Sequence, residues 1–181
     1  MKKKGFLSVV ALVLVLCCAV GGTLAWLTDK TGPVTNTFTV GDIDIDLTES
    51  NALDLKMIPG RTITKDPKVT VKAGSEACWL FVKVEKSANF AEFLTCDMAE
   101  GWTALDGVDG VGGVFWREVG AVTADTFFEV LKGNKVTVKD TVTKEMLQGV
   151  KEETKRPTLA FTAYAVQKEG FDDALTAWGK I

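Results

Sequence analysis

Three aspartates that alternate with apolar residues are the first group in the chain with recognisable chemistry: Asp42, Asp44 and Asp46. Clustered carboxylates are ligands that Ca²⁺ prefers. The spacing does not match an EF-hand loop, because Leu47 stands where the loop needs glycine and Leu53 where it needs glutamate. On a strand the three side chains would simply share one solvated face. They are therefore weak metal candidates, and the alternative is a solvated strand face that binds no metal.

Histidine is absent from all 181 residues. This removes the usual general base near neutral pH and the commonest zinc ligand. It also excludes the Ser-His-Asp triad and the His-Glu-x-x-His zinc motif. We therefore predict a protein that is not an enzyme, has no catalytic residues and uses no cofactor.

The start of the chain has the layout of a secretory signal peptide. Three lysines at positions 2–4 precede an uncharged apolar run over residues 6–20, which ends at the pair Gly21-Gly22. A basic end, a short apolar helix and a helix break are typical of such leaders. The sequence therefore predicts a leader over residues 1–25.

Small residues occupy the positions that a signal peptidase would recognise. Thr23 and Ala25 suit its −3 and −1 pockets, which predicts cleavage between Ala25 and Trp26. An uncleaved anchor is the alternative, because the stretch without charge continues to Thr28 and about 20 apolar residues span a bilayer. Contact with a membrane is expected only through the uncleaved precursor.

Cleavage would change the charge and the redox surroundings of the protein. Loss of three lysines shifts the net charge from −3 to −6. Such mild acidity argues against a nucleic-acid partner. Outside the cytoplasm Cys78 and Cys96 could form one disulfide that closes a loop of about 18 residues. In the chain-entropy model such a disulfide stabilises the fold by on the order of 3 kcal/mol. Two buried thiols are an equal alternative, because sequence gives no Cα separation.

Apolar residues after Asn36 recur mostly at every second position, which predicts strands with one buried face. About eight strands with short helical inserts favour an all-β, antiparallel two-sheet sandwich over residues 41–181. A turn at residues 73–76 makes a hairpin of the third and fourth strands the simplest outcome. The predicted strands cover residues 42–47, 62–65, 69–71, 78–84, 114–119, 126–131, 135–142 and 158–166.

Three segments break the two-residue period and have apolar residues at helical spacing. The first lies within residues 88–98 and the second within residues 144–151. The third is C-terminal, with Phe171, Leu175 and Trp178 on one stripe and Asp172 as the expected N-cap. We expect a short helix or a compact loop at the first and helices at the other two.

Several segments at both ends of the chain and in its first third match a known pattern. They are Gly21-Gly22-Thr23-Leu24-Ala25-Trp26-Leu27-Thr28-Asp29, Asn36-Thr37-Phe38-Thr39-Val40-Gly41-Asp42-Ile43, Pro59-Gly60 with Lys65-Asp66-Pro67-Lys68-Val69-Thr70-Val71, Phe161-Thr162-Ala163-Tyr164-Ala165-Val166-Gln167, Gly170-Phe171-Asp172 and Ala177-Trp178. Through these segments the chain resembles the TasA/camelysin family of secreted Gram-positive proteins. The middle of the chain, residues 88–154, carries no signature of the family.

The resemblance implies a partner, a location and a fold. A SipW-type signal peptidase would recognise Thr23, Ala25 and Trp26. Mature members of the family build biofilm-matrix or cell-surface fibres on a jelly-roll sandwich. Other relatives are classed as metallopeptidases, so a metal-dependent cell-surface endopeptidase is an alternative, and a signal-anchored adhesin is another.

The segment after the predicted cleavage site suits assembly by strand exchange. An open sandwich leaves unpaired strand edges, and residues 26–40, rich in Thr and Val, can add as a strand to a neighbour's edge. Such a head-to-tail contact propagates into a homopolymer. The other possibility is that the segment pairs within its own domain. The predicted assembly residues are Trp26, Leu27, Val34, Thr37, Phe38 and Val40.

Overall fold

The computed structural model of the protein describes residues 41–50, 56–108 and 112–181. All of them belong to one unit, Val40–Ile181. The predicted leader, its cleavage residues Thr23, Ala25 and Trp26, and the assembly residues of segment 26–40 lie outside the described residues. Those predictions are therefore not tested by the fold.

The described part of the chain is built from short strands with a few single-turn helices. The α-helices are α1 (Phe90–Phe93), α2 (Lys144–Gly149) and α3 (Ala174–Trp178), and two 3₁₀ turns cover Lys132–Asn134 and Glu153–Lys155. The strands are β1 (Ile45–Thr48), β2 (Thr62–Thr64), β3 (Lys68–Val71), β4 (Cys78–Lys86), β5 (Leu94–Thr95), β6 (Thr103–Ala104), β7 (Val114–Val119), β8 (Thr126–Glu129), β9 (Lys135–Val138) and β10 (Leu159–Gln167).

Every strand pair among these elements is antiparallel, which confirms the all-β prediction. Hydrogen bonds divide the strands into sheets of order β1-β3-β8, β10-β4-β7-β6 and β2-β9-β5. The third sheet was not predicted. It arises because the chain turns through Gly133 and Asn134, both with positive φ, between β8 and β9. Strand β9 then pairs with β2 and β5 instead of continuing the first sheet.

Strand β4 is the centre of the core and is buried on both faces. Leu80 and Val82 pack in one cluster with Val69 of β3, whereas Trp79 and Phe81 pack in another with residues of α3. A strand covered on both sides needs a continuous apolar run, because neither face meets water. This explains why residues 78–82 show no polar alternation.

The predicted hairpin of β3 and β4 is wrong. Strand β3 pairs with β1 and β8, whereas β4 pairs with β10 and β7. The turn between them crosses from one sheet to the other, with Gly74 at a φ of 89°. A hairpin would place Val71 and Leu80 in one sheet, but as members of facing sheets they bury each other in one core cluster.

Buried Ser75 fixes this crossing. Its hydroxyl accepts the Asp44 N–H at 3.1 Å and donates to the Asp44 carbonyl at 3.3 Å. Ser75 also donates its own N–H to the carbonyl of Lys72. The polar groups of the crossing are thereby satisfied beside the core.

The three α-helices of the described ranges have only four to six residues each. Residues 88–98 contain only the four-residue helix α1, followed at once by β5. The second prediction is confirmed as α2. In α3 the expected stripe is partly wrong, because Leu175 is 52% exposed, whereas Ala174 and Ala177 are buried. Small side chains let this helix approach the outer face of β4 closely.

The N-cap of α3 is Asp173, so the prediction of Asp172 is wrong by one residue. The Asp173 carboxylate accepts the Thr176 N–H at 2.7 Å and the Thr176 hydroxyl at 3.1 Å. These bonds favour the ionised form and hold the pKa of Asp173 below its ordinary value, the backbone N–H being the larger cause.

Replacing Asp173 by alanine is expected to lower the Tm by about 2–4 °C, the usual effect of losing one cap in a domain of this size. Because the folded-state pKa is depressed, the cap contributes above the unfolded pKa and its contribution disappears as pH falls through the folded value. Thermal melts at pH 7 and at acidic pH measure both effects. Asp172→Ala is the matched control, and an equal loss in that variant would contradict the assignment.

Candidate assembly edge

Strand β10 is a nine-residue strand at the end of its sheet. Its nine residues pair with β4, from Leu159 opposite Lys86 to Gln167 opposite Cys78. Within the described ranges no strand pairs with its other side. A long edge strand is a ready template for a further strand.

Two flanking hydrogen bonds show which backbone groups of β10 point outward. Ser87 donates its N–H to the Thr158 carbonyl at 3.1 Å, and Lys168 donates its N–H to the Ala77 carbonyl at 2.8 Å. These two residue pairs continue the β4–β10 register at either end. Along antiparallel strands, pairs that are hydrogen-bonded to each other alternate with pairs that are not. Even-numbered residues of β10 therefore bond to β4. The residues whose N–H and C=O face the open side are Leu159, Phe161, Ala163, Ala165 and Gln167.

The same odd-numbered residues bring apolar side chains to this edge. Phe161, Ala163 and Ala165 pack against the core cluster of β3 and β4, yet each is only half-buried. The ammonium of Lys65 lies 5.6 Å from the Phe161 ring centroid. The edge thus combines outward backbone groups with apolar surface that another strand would cover.

Strand β1 has a second open edge close by. Lys72 donates its N–H to the Asp44 carbonyl at 2.9 Å, so the even-numbered residues of this strand face β3. Ile45 and Leu47 then direct their backbone groups outward. Strands β1 and β10 belong to different sheets but approach each other. Among the described residues, no further strand is hydrogen-bonded to either edge.

The three aspartates predicted as weak metal candidates lie at this edge. Asp42, Asp44 and Asp46 are all exposed, as the alternation with Ile43 and Ile45 predicts for a solvated face. Across residues 41–50, 56–108 and 112–181 there is no group of three or more His, Cys, Asp or Glu residues placed to hold a metal ion.

Both cysteines of the folded unit are free thiols in the structure. Cys78 is buried in the cluster of β3 and β4, and burial raises its pKa to about 11. Cys96 is half-buried against the cluster of β5 and β9, and burial also raises its pKa.

Sequence reasoning did not identify the residues of β10 as an assembly edge. The two-residue period over residues 158–166 predicted the strand, but the same period occurs in central and edge strands. Only the pairing partners, which are distant in sequence, decide which side stays open. The described residues contain no helix with the length and hydropathy needed to cross a membrane.

Comparison with known proteins identifies one family. Residues 1–84 match the family model described as camelysin metallo-endopeptidase. This description contradicts the prediction that the protein is not an enzyme, which rested on the absence of histidine. Neither the curated proteins nor the solved structures contain a match to the chain. The match covers the predicted leader, β1, β2, β3 and most of β4, and it confirms the predicted resemblance to the TasA/camelysin family over these residues.

Proposed function

We propose that the protein is an exported subunit of cell-surface or matrix fibres, in which residues 26–40 of one copy pair with the open edge of β10 in the next. The observation that carries this proposal is the nine-residue edge with its outward backbone groups and half-buried apolar side chains. The family match supports export.

The physical gain of such pairing has two parts. An added strand provides partners for the outward N–H and C=O groups of Phe161, Ala163 and Ala165. It also removes their apolar surface from water, at roughly 25 cal/mol per Å². Because the donor segment and the acceptor edge are different surfaces, the contact is head-to-tail and continues into a filament.

Export would release the donor segment. Cleavage after Ala25, with a SipW-type signal peptidase as the expected partner, gives a free N-terminus at Trp26. N-terminal sequencing of protein released from cells is expected to begin at Trp26. A blocked or intact leader on surface-bound protein would favour the signal-anchored adhesin instead.

Deletion of residues 26–40 from the mature chain tests the assembly. We expect a folded monomer by circular dichroism and sedimentation, and no filaments by electron microscopy, whereas the full mature chain forms filaments. A synthetic peptide of residues 26–40 should bind the deleted protein, and the same composition in scrambled order should not. Filaments that persist after the deletion would count against strand exchange.

A metal-dependent endopeptidase is the second candidate, and the description of the matching family favours it. Without histidine, a catalytic metal would need carboxylate or thiolate ligands. Casein digestion by contaminant-free protein, with and without a chelator, tests this function. Cleavage that the chelator stops and added Zn²⁺ restores would support it.

The variant that lacks residues 26–40 distinguishes the two functions. A peptidase whose metal is held by the folded unit would keep its activity without residues 26–40, whereas filaments would be lost. Equal casein digestion by a preparation that lacks the protein would remove the support for the peptidase.

A further inference from the structure

A cavity of about 480 Å³ lies beside α2. Its apolar wall includes Ile63 of β2, Val136 of β9 and Leu147 of α2. Its size is within the range of about 300–1,000 Å³ that is typical of small-molecule sites. Among the described residues that line it, none belongs to β10.

The cavity is apolar inside and cationic at its mouth. Val136 is 3% exposed and Val150 is 8% exposed, whereas the lining residues Lys56 and Arg156 are exposed. One Arg156 nitrogen donates to the Lys151 carbonyl at 3.2 Å, which positions the guanidinium after α2.

We propose that this cavity binds an amphipathic anion, with an unbranched acyl chain against Ile63, Val136 and Leu147 and a carboxylate or phosphate head at Arg156. The apolar wall removes methylene groups from water, and each methylene adds roughly fourfold to the affinity. A guanidinium binds carboxylate and phosphate through two parallel N–H bonds. An acyl anion satisfies both halves of the site, whereas a neutral or cationic chain satisfies only the apolar half.

Calorimetry with monomeric fatty acids tests the site on the purified mature protein. Dodecanoate is expected to bind with one-to-one stoichiometry, and affinity should rise roughly fourfold per methylene from octanoate to dodecanoate. Dodecyltrimethylammonium, with the same tail and the opposite charge, should bind about tenfold more weakly. No binding of dodecanoate, or equal binding of both heads, would overturn the proposal.

Two arginine variants localise the binding. Arg156→Glu should weaken dodecanoate binding about tenfold or more, because it reverses the charge at the mouth. Arg61→Glu makes the same change at an exposed residue outside the cavity and should leave affinity unchanged. Equal losses in both variants would overturn the site. If Arg156→Glu fails to fold, Arg156→Gln replaces it in the test, because this variant removes the positive charge without adding a negative one.

Vesicles distinguish the two sources of an acyl anion. Sedimentation with phosphatidylglycerol vesicles that depends on Arg156 would identify a membrane lipid as the ligand. Binding of dodecanoate without vesicle binding would identify a free fatty acid. Equal sedimentation with phosphatidylcholine vesicles would contradict a site that selects a negative head.

Discussion

Replacement of Ala163 by proline is expected to abolish filament formation while the subunit stays folded. The N–H of Ala163 points away from β4, so its loss removes no bond of the existing ladder. On the open side, however, the proline ring takes away a donor and occupies the place of an incoming strand. The effect on assembly should therefore be complete, and the effect on stability small.

Thr162→Pro is the matched control, one residue away on the same strand. The N–H of Thr162 faces β4, so proline there breaks a hydrogen bond in the middle of the β10–β4 ladder and should unfold the domain. Thermal melts separate the two variants, and electron microscopy reads the filaments. Gln167→Pro repeats the test at an exposed outward position. Filaments from folded Ala163→Pro protein would exclude β10 as the acceptor.

Local patterns predicted the strands well where the determinants are local. Strand β7 was predicted at its observed bounds, Val114–Val119, because its alternation lies between glycine-rich turns. Strand β10 was predicted to within one residue at each end. In both cases side-chain alternation and turn residues are properties of neighbouring positions, and these survive in any arrangement of the sheets.

Pairing could not be predicted in the same way. Strands β3 and β4 look like a hairpin in sequence, yet Val71 pairs with Ile45 and Thr126. Which arrangement wins depends on the burial of two apolar faces against each other, a property of the whole core. For the same reason, the sequence alone does not predict that β10 lies at the end of its sheet among the described strands. The N-cap of α3 was misplaced by one residue because Asp172 and Asp173 are equivalent candidates until the backbone is known.

Histidine is absent from the chain. Absence excludes the motifs that require histidine, but it does not exclude a metal held by carboxylates. The description of the matching family therefore overturns the broader prediction. The two candidate functions now differ in what residues 26–40 must do, which makes their deletion the sharper test.

Replacing Phe81 by alanine is expected to lower the free energy of unfolding by about 3–5 kcal/mol. Phe81 is fully buried in the middle of β4, and its ring centroid lies 5.3 Å from that of Trp178 in α3. The change removes a large apolar side chain and leaves a cavity between the sheet and the helix. Urea titration followed by circular dichroism measures the loss, which should appear as a lower midpoint at unchanged slope.

Phe127→Ala on β8 is the matched control for this prediction. Phe127 is 61% exposed, and its ring has the Lys68 ammonium 5.0 Å from its centroid. Its loss should cost under about 1 kcal/mol, because an exposed cation–π pair is weak and little burial is lost. If the two variants lose equal stability, α3 does not complete the core on the outer face of β4. A larger loss of stability in Phe81→Ala than in Phe127→Ala instead supports packing of α3 against the outer face of β4. Strand β10 pairs with β4, so this packing stabilises the strand that supports the proposed accepting edge.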